Sequence, residues 1–183
     1  DAELGVRSGI VPGLWLDAFA GYAVIKSAAF FVPSDYLGEP YDFGNYHVAF
    51  QPDATWMRIG AALKYAYQRT VDFSVKAVYN RGTFRKGEGN SWLSGAGMSN
   101  MKPYGCPAVE VNADLTVRPI TPLSLTLDYY LGARRVTLFH GDNIKMSDLH
   151  DMNFTAAYNL NDMFGAYLKF TNILSRGQDL WYG

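Results

Sequence analysis

Residues 109–131 read VEVNADLTVRPITPLSLTLDYYL and contain two consecutive segments in which apolar and polar side chains alternate. In the first segment Val109, Val111 and Ala113 alternate with Glu110 and Asn112. Because successive side chains of a strand point to opposite faces, each segment is predicted to be a β-strand with one apolar and one polar face. Each is about 10 residues long, which is the length that a tilted strand needs to cross a bilayer.

The same alternation recurs along the rest of the chain. The expected strands cover residues 3–10, 14–25, 56–67, 71–80, 109–118, 123–131, 152–160 and 164–171. Short turns and long segments alternate between them, as the short periplasmic turns and long extracellular loops of outer-membrane barrels do. The sequence therefore predicts an all-β fold, an antiparallel up-and-down transmembrane β-barrel with about eight spanning strands, part of a larger barrel.

A soluble ligand-binding barrel, such as a lipocalin, is the alternative that alternation alone leaves open, with its apolar face turned inward. The positions of tyrosines favour the membrane. Tyr65, Tyr67, Tyr79 and Tyr158 lie near the ends of expected strands, where aromatic girdles meet the two membrane interfaces.

Residues 1–183 are expected to form a single β-barrel segment that is incomplete at both ends. If the long loops are extracellular, Asp1 and Gly183 both fall on the outer side, whereas bacterial barrels have an even strand number and normally periplasmic termini. We therefore expect a barrel of at least about ten strands. The alternative is an eight-stranded barrel in which the strands that contain Glu3 and Phe164 pair directly.

The composition excludes several classes of function. The net charge of −1 provides no basic face for nucleic acid. Charged residues make up 18% of the chain, below the ~25% of ordinary soluble domains. Cys106 is the only cysteine, so no intrachain disulfide can form. Neither a nucleophile elbow nor a zinc-ligand pair is present, and we expect no enzyme, no metal and no cofactor. His140, Asp142 and His150 share a loop, but their spacing matches no ligand motif.

Charges of both signs occupy the polar faces, and an aqueous lumen would solvate and pair them. Asp17 and Arg7 are expected to form a structural ion pair there. The other expected lumen-facing charges are Arg58, Lys64, Lys76, Glu110, Asp114, Arg118, Asp128 and Lys169.

Aromatic side chains in the outer loops are the candidate ligand contacts, because aromatic rings stack on sugars, haem or peptides. Packing of the rings within the loop or against the barrel mouth is the alternative. The candidates are Phe30, Phe31, Tyr36, Tyr41, Phe43 and Trp92.

Several segments resemble the late strands of TonB-dependent-receptor-like proteins of Bacteroidetes outer membranes. They are Met101-Lys102-Pro103, residues 108–115, Arg118-Pro119-Ile120 and residues 123–131, while residues 170–174 and 179–183 are similar to the penultimate strand and final loop. The resemblance implies uptake of a large ligand through a 22-stranded barrel with an N-terminal plug. No segment of the chain resembles such a plug.

The first functional hypothesis is therefore an outer-membrane receptor or transporter for a nutrient or other ligand. The alternative is a structural or assembly component of an outer-membrane secretion or surface complex. The expected location is the cell outer membrane. The expected partners are lipid along the strands and a periplasmic energy-coupling protein or a surface lipoprotein, with no nucleic acid.

Overall fold

The computed structural model describes residues 1–26, 29–33, 46–50, 53–85, 106–139, 142–161 and 163–174. Every regular element in these ranges is a β-strand, and all strand pairs are antiparallel. No helix in the described ranges is long and apolar enough to cross a membrane. The expected all-β, up-and-down architecture is confirmed.

Eight strands form one sheet in which each strand pairs with the next spanning strand along the chain. In spatial order they are β1 (Ala2–Val11), β2 (Leu14–Lys26), β5 (Asp53–Tyr67), β6 (Val71–Arg85), β7 (Val109–Ile120), β8 (Leu123–Ala133), β11 (Leu149–Asn159) and β12 (Gly165–Phe170). This up-and-down order follows from the alternation of short and long connections, because a short turn can join only antiparallel neighbours.

Two small two-stranded arms lie in the long connections. The first pairs β3 (Ala29–Pro33) with β4 (Tyr46–Phe50). The second pairs β9 (Val136–Phe139) with β10 (Asp142–Lys145), in a segment that the sequence predicts to be a loop. Its Val-Thr-Leu-Phe run is rich in residues that favour strands, which accounts for the difference.

The spanning strands also extend further toward the long connections than expected. β5 begins at Asp53 and β6 ends at Arg85, and these two residues are cross-strand partners. Between them and the apolar part of the strands, the hydroxyls of Thr55 and Thr83 lie 2.6 Å apart in a hydrogen bond. Polar cross-strand pairs therefore prolong the ladder beyond the residues that hydrophobic periodicity identifies.

The register keeps the two faces of the sheet separate. Ala113 lies opposite Val75 and Tyr129, while its neighbour Asp114 lies opposite Ser74 and Asp128. Because the side-chain period is two, a slip of one residue in any pair would bring carboxylates onto the apolar face. The pairing thus combines the apolar halves of all eight strands into one outward surface.

The apolar face is the exposed one, which is the reverse of a soluble protein. On strands in the interior of the sheet, Ile59 of β5 is 48% exposed and Tyr79 of β6 is 41% exposed. The most buried strand side chains lie on the other face, where Val78 is 3%, Asn80 6% and Ala62 8% exposed. A soluble barrel buries its apolar face. This distribution contradicts that alternative and fits strands surrounded by lipid.

Aromatic residues mark the two ends of the outward face. Tyr65 and Tyr67 lie beside the β5–β6 turn with their rings stacked at a centroid distance of 6.4 Å. Tyr22, Tyr79 and Tyr129 lie further toward the long connections. These are the positions that interfacial girdles require, with an apolar ring and a polar hydroxyl at the headgroup level.

The β1–β2 turn is anchored to the neighbouring strand β5. Gly13 adopts φ +82°, a conformation that favours glycine, and its carbonyl accepts a hydrogen bond of 2.8 Å from the Ala66 amide. A Cβ at position 13 would lie 2.3 Å from the Ala66 carbonyl oxygen. Only glycine therefore allows this close approach of the two backbones.

The sheet is open in the part of the chain that the structure describes. β1 pairs with β2 and β12 pairs with β11, and these two outer strands lie at opposite edges. The described residues therefore do not form the alternative eight-stranded barrel with direct pairing of the first and last spanning strands.

The exposed apolar face predicts a large difference between adjacent positions of β8. Leu127→Arg should lower the free energy of unfolding in lipid vesicles by ~2–4 kcal/mol, because it places a cation against hydrocarbon near the middle of a strand. Thr126→Arg, on the opposite face, should have a much smaller effect. Denaturant unfolding followed by tryptophan fluorescence measures both variants, and equal losses would contradict the face assignment.

Candidate functional site

The polar face of the sheet is the candidate functional site. Part of it borders a cavity of about 530 Å³ whose walls come from β1, β2, β5, β6 and β7. Charged and aromatic side chains from successive strands face this space, among them Arg7, Asp17, Phe19, Lys64 and Asp114. Antiparallel pairing brings them together even though they are far apart in the sequence.

Asp17 links three strands through two cations. Arg7 on β1 is its direct cross-strand partner, and the Arg7 Nε–Asp17 Oδ1 distance is 2.6 Å. Lys64 on β5 lies diagonally across from Asp17, with Nζ 3.6 Å from Oδ2. The expected Arg7–Asp17 ion pair is therefore present. Since Arg7 is largely exposed, this pair orients side chains more than it stabilises the fold.

A second ion pair lies near the short turns. Arg118 Nη1 is 2.5 Å from Asp72 Oδ2 and also donates a hydrogen bond of 3.3 Å to the Arg69 carbonyl. In addition, the Arg118 amide bonds to the Thr70 carbonyl at 2.7 Å. Arg118 thereby joins β7 to the β5–β6 turn.

The Asn80 side chain forms a buried polar contact on this face. Its amide nitrogen donates to Glu110 Oε1 at 2.5 Å and to the Pro107 carbonyl at 3.3 Å. Asn80 is 6% exposed, so these two bonds replace water for most of its surface. Asn80 is not among the residues selected from the sequence. Its even-numbered position, shared with Lys76 on β6, predicts that it lies on the polar face.

Two carboxylates lie next to each other in the middle of the sheet. Asp114 and Asp128 are direct cross-strand partners, and the Ser74 hydroxyl donates a hydrogen bond of 2.8 Å to Asp114. One step toward the short turn, the hydroxyls of Thr116 and Thr126 are 3.1 Å apart. The sequence allows this cross-strand pair to be predicted, because Asp114 and Asp128 lie at similar distances from the turn at residues 121–122.

Phe19 interrupts the polar face with an aromatic ring between two cations. Arg58 Cζ lies 5.6 Å and Lys76 Nζ 5.4 Å from the ring centroid, which are cation–π distances. The ring extends over Gly60, its cross-strand partner. Phe19 was not among the residues predicted to line the lumen, although its odd-numbered position on β2, like that of Asp17, places it on this face.

The structure places all of the expected lumen charges on this single face of the sheet. Their lining of a water-filled lumen stays a prediction. The charges that share the face are Arg58, Lys64, Lys76, Glu110, Asp114, Arg118, Asp128 and Lys169.

The aromatic loop candidates are only partly described. Phe30 and Phe31 belong to β3, and their ligand contact stays a prediction. Tyr36, Tyr41, Phe43 and Trp92 lie outside the described residues, as does His140. Within the described ranges, no group of three or more His, Cys, Asp or Glu side chains is arranged to hold a metal ion.

The fold is similar to that of a known transporter. The copper transporter OprC matches with a TM-score of 0.63 and 14% sequence identity, and the match covers 94% of this chain. The chain spans 24% of the length of that protein. No family model and no curated protein matches the sequence. The all-β, up-and-down sheet and this similarity together show a fold of the outer-membrane β-barrel type.

The Asn80 contact predicts a specific stability effect. Asn80→Ala should lower the free energy of unfolding by about 1–3 kcal/mol, because Glu110 and the Pro107 carbonyl lose their buried donor. Asn112→Ala makes the same truncation on the neighbouring strand and should cost less than about 0.5 kcal/mol. Denaturant titration in vesicles compares the two. Equal costs would show that the Asn80 bonds contribute nothing specific.

Proposed function

We propose that the chain is part of the wall of an outer-membrane transport barrel that takes up a nutrient or other solute in the manner of TonB-dependent receptors. The observation that carries the proposal is the reversed distribution of polarity, with exposed apolar side chains outside and charges around a cavity inside. Such a wall places lipid against one face and solute against the other.

The charge pattern of the polar face supports transport. Arg7, Asp17 and Lys64 form one cluster, and Arg118 with Asp72 forms another nearer the short turns. Groups of both signs along a polar wall can solvate a polar solute at several points between the two membrane interfaces. An entirely apolar interior could not provide this.

The open edges support a barrel larger than these eight strands. Backbone groups at the free edges of β1 and β12 have no water to bond with inside a bilayer, so other strands must pair with them. We propose that the chain is one sector of such a barrel. The match to 24% of the OprC chain agrees with a sector of this size.

Energy coupling is part of the same proposal. Receptors of the TonB-dependent kind use a periplasmic coupling protein, and some work with a surface lipoprotein. We propose one of these as the partner of the assembled barrel. Binding of a nutrient by Phe30 and Phe31 on the outer arm β3 belongs to this proposal as well.

Measurement of ion conductance by the purified full-length protein in planar lipid bilayers tests transport directly. The expected result is a folded, heat-modifiable band on gels together with ion conductance, either spontaneous or after mild urea displaces a plug. Reconstituted vesicles without the protein are the control. A folded protein that never conducts and copurifies with a tightly bound partner would instead support the structural or assembly function.

A further inference from the structure

We propose that Phe19, Arg58 and Lys76 form a binding site for one anionic group, a carboxylate or a phosphate, of a small solute. The site lies on the polar face and borders the cavity described above. The inference deepens the proposed transport function and rests on it, since it names the chemical class that the wall would contact.

The Phe19 ring is held in place by the strand beside it. Its cross-strand partner is Gly60, and a Cβ at position 60 would lie 2.6 Å from Phe19 Cζ and 2.9 Å from the Ala77 carbonyl oxygen. The ring therefore occupies the space that a side chain on β5 would fill. This gives the site an apolar element with a fixed position.

The two cations approach the same ring from neighbouring strands. Arg58 on β5 and Lys76 on β6 lie 5.6 and 5.4 Å from the centroid of Phe19. Within the described ranges, neither of them takes part in an ion pair. The quadrupole of one ring offsets only part of the repulsion between two like charges. A bound anion would offset that repulsion, because it would be attracted to both Arg58 and Lys76.

Three acidic groups line the cavity, and one of them, Asp17, is paired with cations. Asp17 is bound by Arg7 and Lys64, and Asp114 accepts the hydrogen bond of Ser74. Glu3 lines the cavity from β1, and its carboxylate lies beside Gly21, whose partner on β5 is Arg58, but among the described residues Glu3 and Arg58 form no ion pair. Among the described residues, Arg58 and Lys76 are therefore the cations of the cavity that have no carboxylate within ion-pair distance.

The arrangement suits an anionic group attached to a small solute. A guanidinium binds carboxylate and phosphate with two parallel hydrogen bonds, and an ammonium binds them as a point charge. The cavity of about 530 Å³ has room for the rest of a small molecule. A flat or apolar portion of that molecule would contact the Phe19 ring.

The experiment is a calorimetric titration of the full-length protein in detergent with inorganic phosphate and, separately, with benzoate. R58Q/K76Q should weaken the binding of both at least about tenfold, because two charge-assisted contacts are lost. F19L keeps an apolar side chain and removes the aromatic ring. It should weaken binding about threefold or more for benzoate, and less for phosphate.

The matched control is R81Q/K26Q, which removes the same two charges from the outward face. It should bind both probes as the unaltered protein does. Heat-modifiable gel migration verifies that each variant is folded. Absence of binding by the unaltered protein, equal binding by R58Q/K76Q, or equal weakening by R81Q/K26Q would each overturn the site.

Conductance separates this inference from the proposed function. A protein that conducts but binds neither probe keeps the transport function and overturns the anion site. A protein that binds both probes through Arg58 and Lys76 but never conducts keeps the site and removes transport. Copurification of a protein segment whose acidic side chain occupies the site, released by R58Q/K76Q, would overturn the assignment to a small solute.

Discussion

In-register pairing of the spanning strands is the constraint on which the rest of the structure depends. Inside a bilayer, backbone amides and carbonyls must find their partners within the protein, and the ladder from β1 to β12 provides them. The same ladder determines which side chains are neighbours. Asp114 meets Asp128 because β7 and β8 start from one short turn, and it meets Ser74 because β7 pairs with β6 in this register. Register therefore determines both stability and the composition of the polar face.

The interior of this wall is held together by polar contacts, whereas that of a soluble domain is held by apolar packing. Among the described residues, the buried apolar side chains are only Ala62, Val78 and Met146. Around them lie the Asn80–Glu110 hydrogen bond and the Arg118–Asp72 ion pair. The ion pair contributes little to the free energy of unfolding, because exposed ion pairs are weak and screened by salt. The distribution of these contacts along several strands is what gives the polar face a defined shape.

Much of the fold could be predicted from the sequence, since alternation with period two specifies both strands and faces. The regular pattern of residues 109–131 is one example, and the short turn between the expected strands 3–10 and 14–25 is another. The β9–β10 arm was missed because strands of four residues show too little periodicity to be distinguished from a loop.

The site was harder to predict than the fold. Parity placed Arg58 and Lys76 on the polar face, but their approach to one ring depends on cross-strand register and on the direction of the Phe19 side chain. Phe19 itself looked like an ordinary apolar residue of β2. Contacts between strands distant in the sequence, such as Asn80 with Glu110, require the register of β6 against β7. Sequence pattern alone does not supply this register.

The contact between Phe19 and Gly60 makes these two positions interdependent. A side chain at position 60 would meet both the ring at position 19 and the Ala77 carbonyl oxygen. Replacing the ring by a smaller side chain relieves the first of these contacts, so a double-mutant cycle between positions 19 and 60 should be non-additive. The cations beside the ring belong to the same unit. If such a wall evolved to bind solutes of another chemistry, several of these positions would have to change together. Single substitutions among them would more often be deleterious.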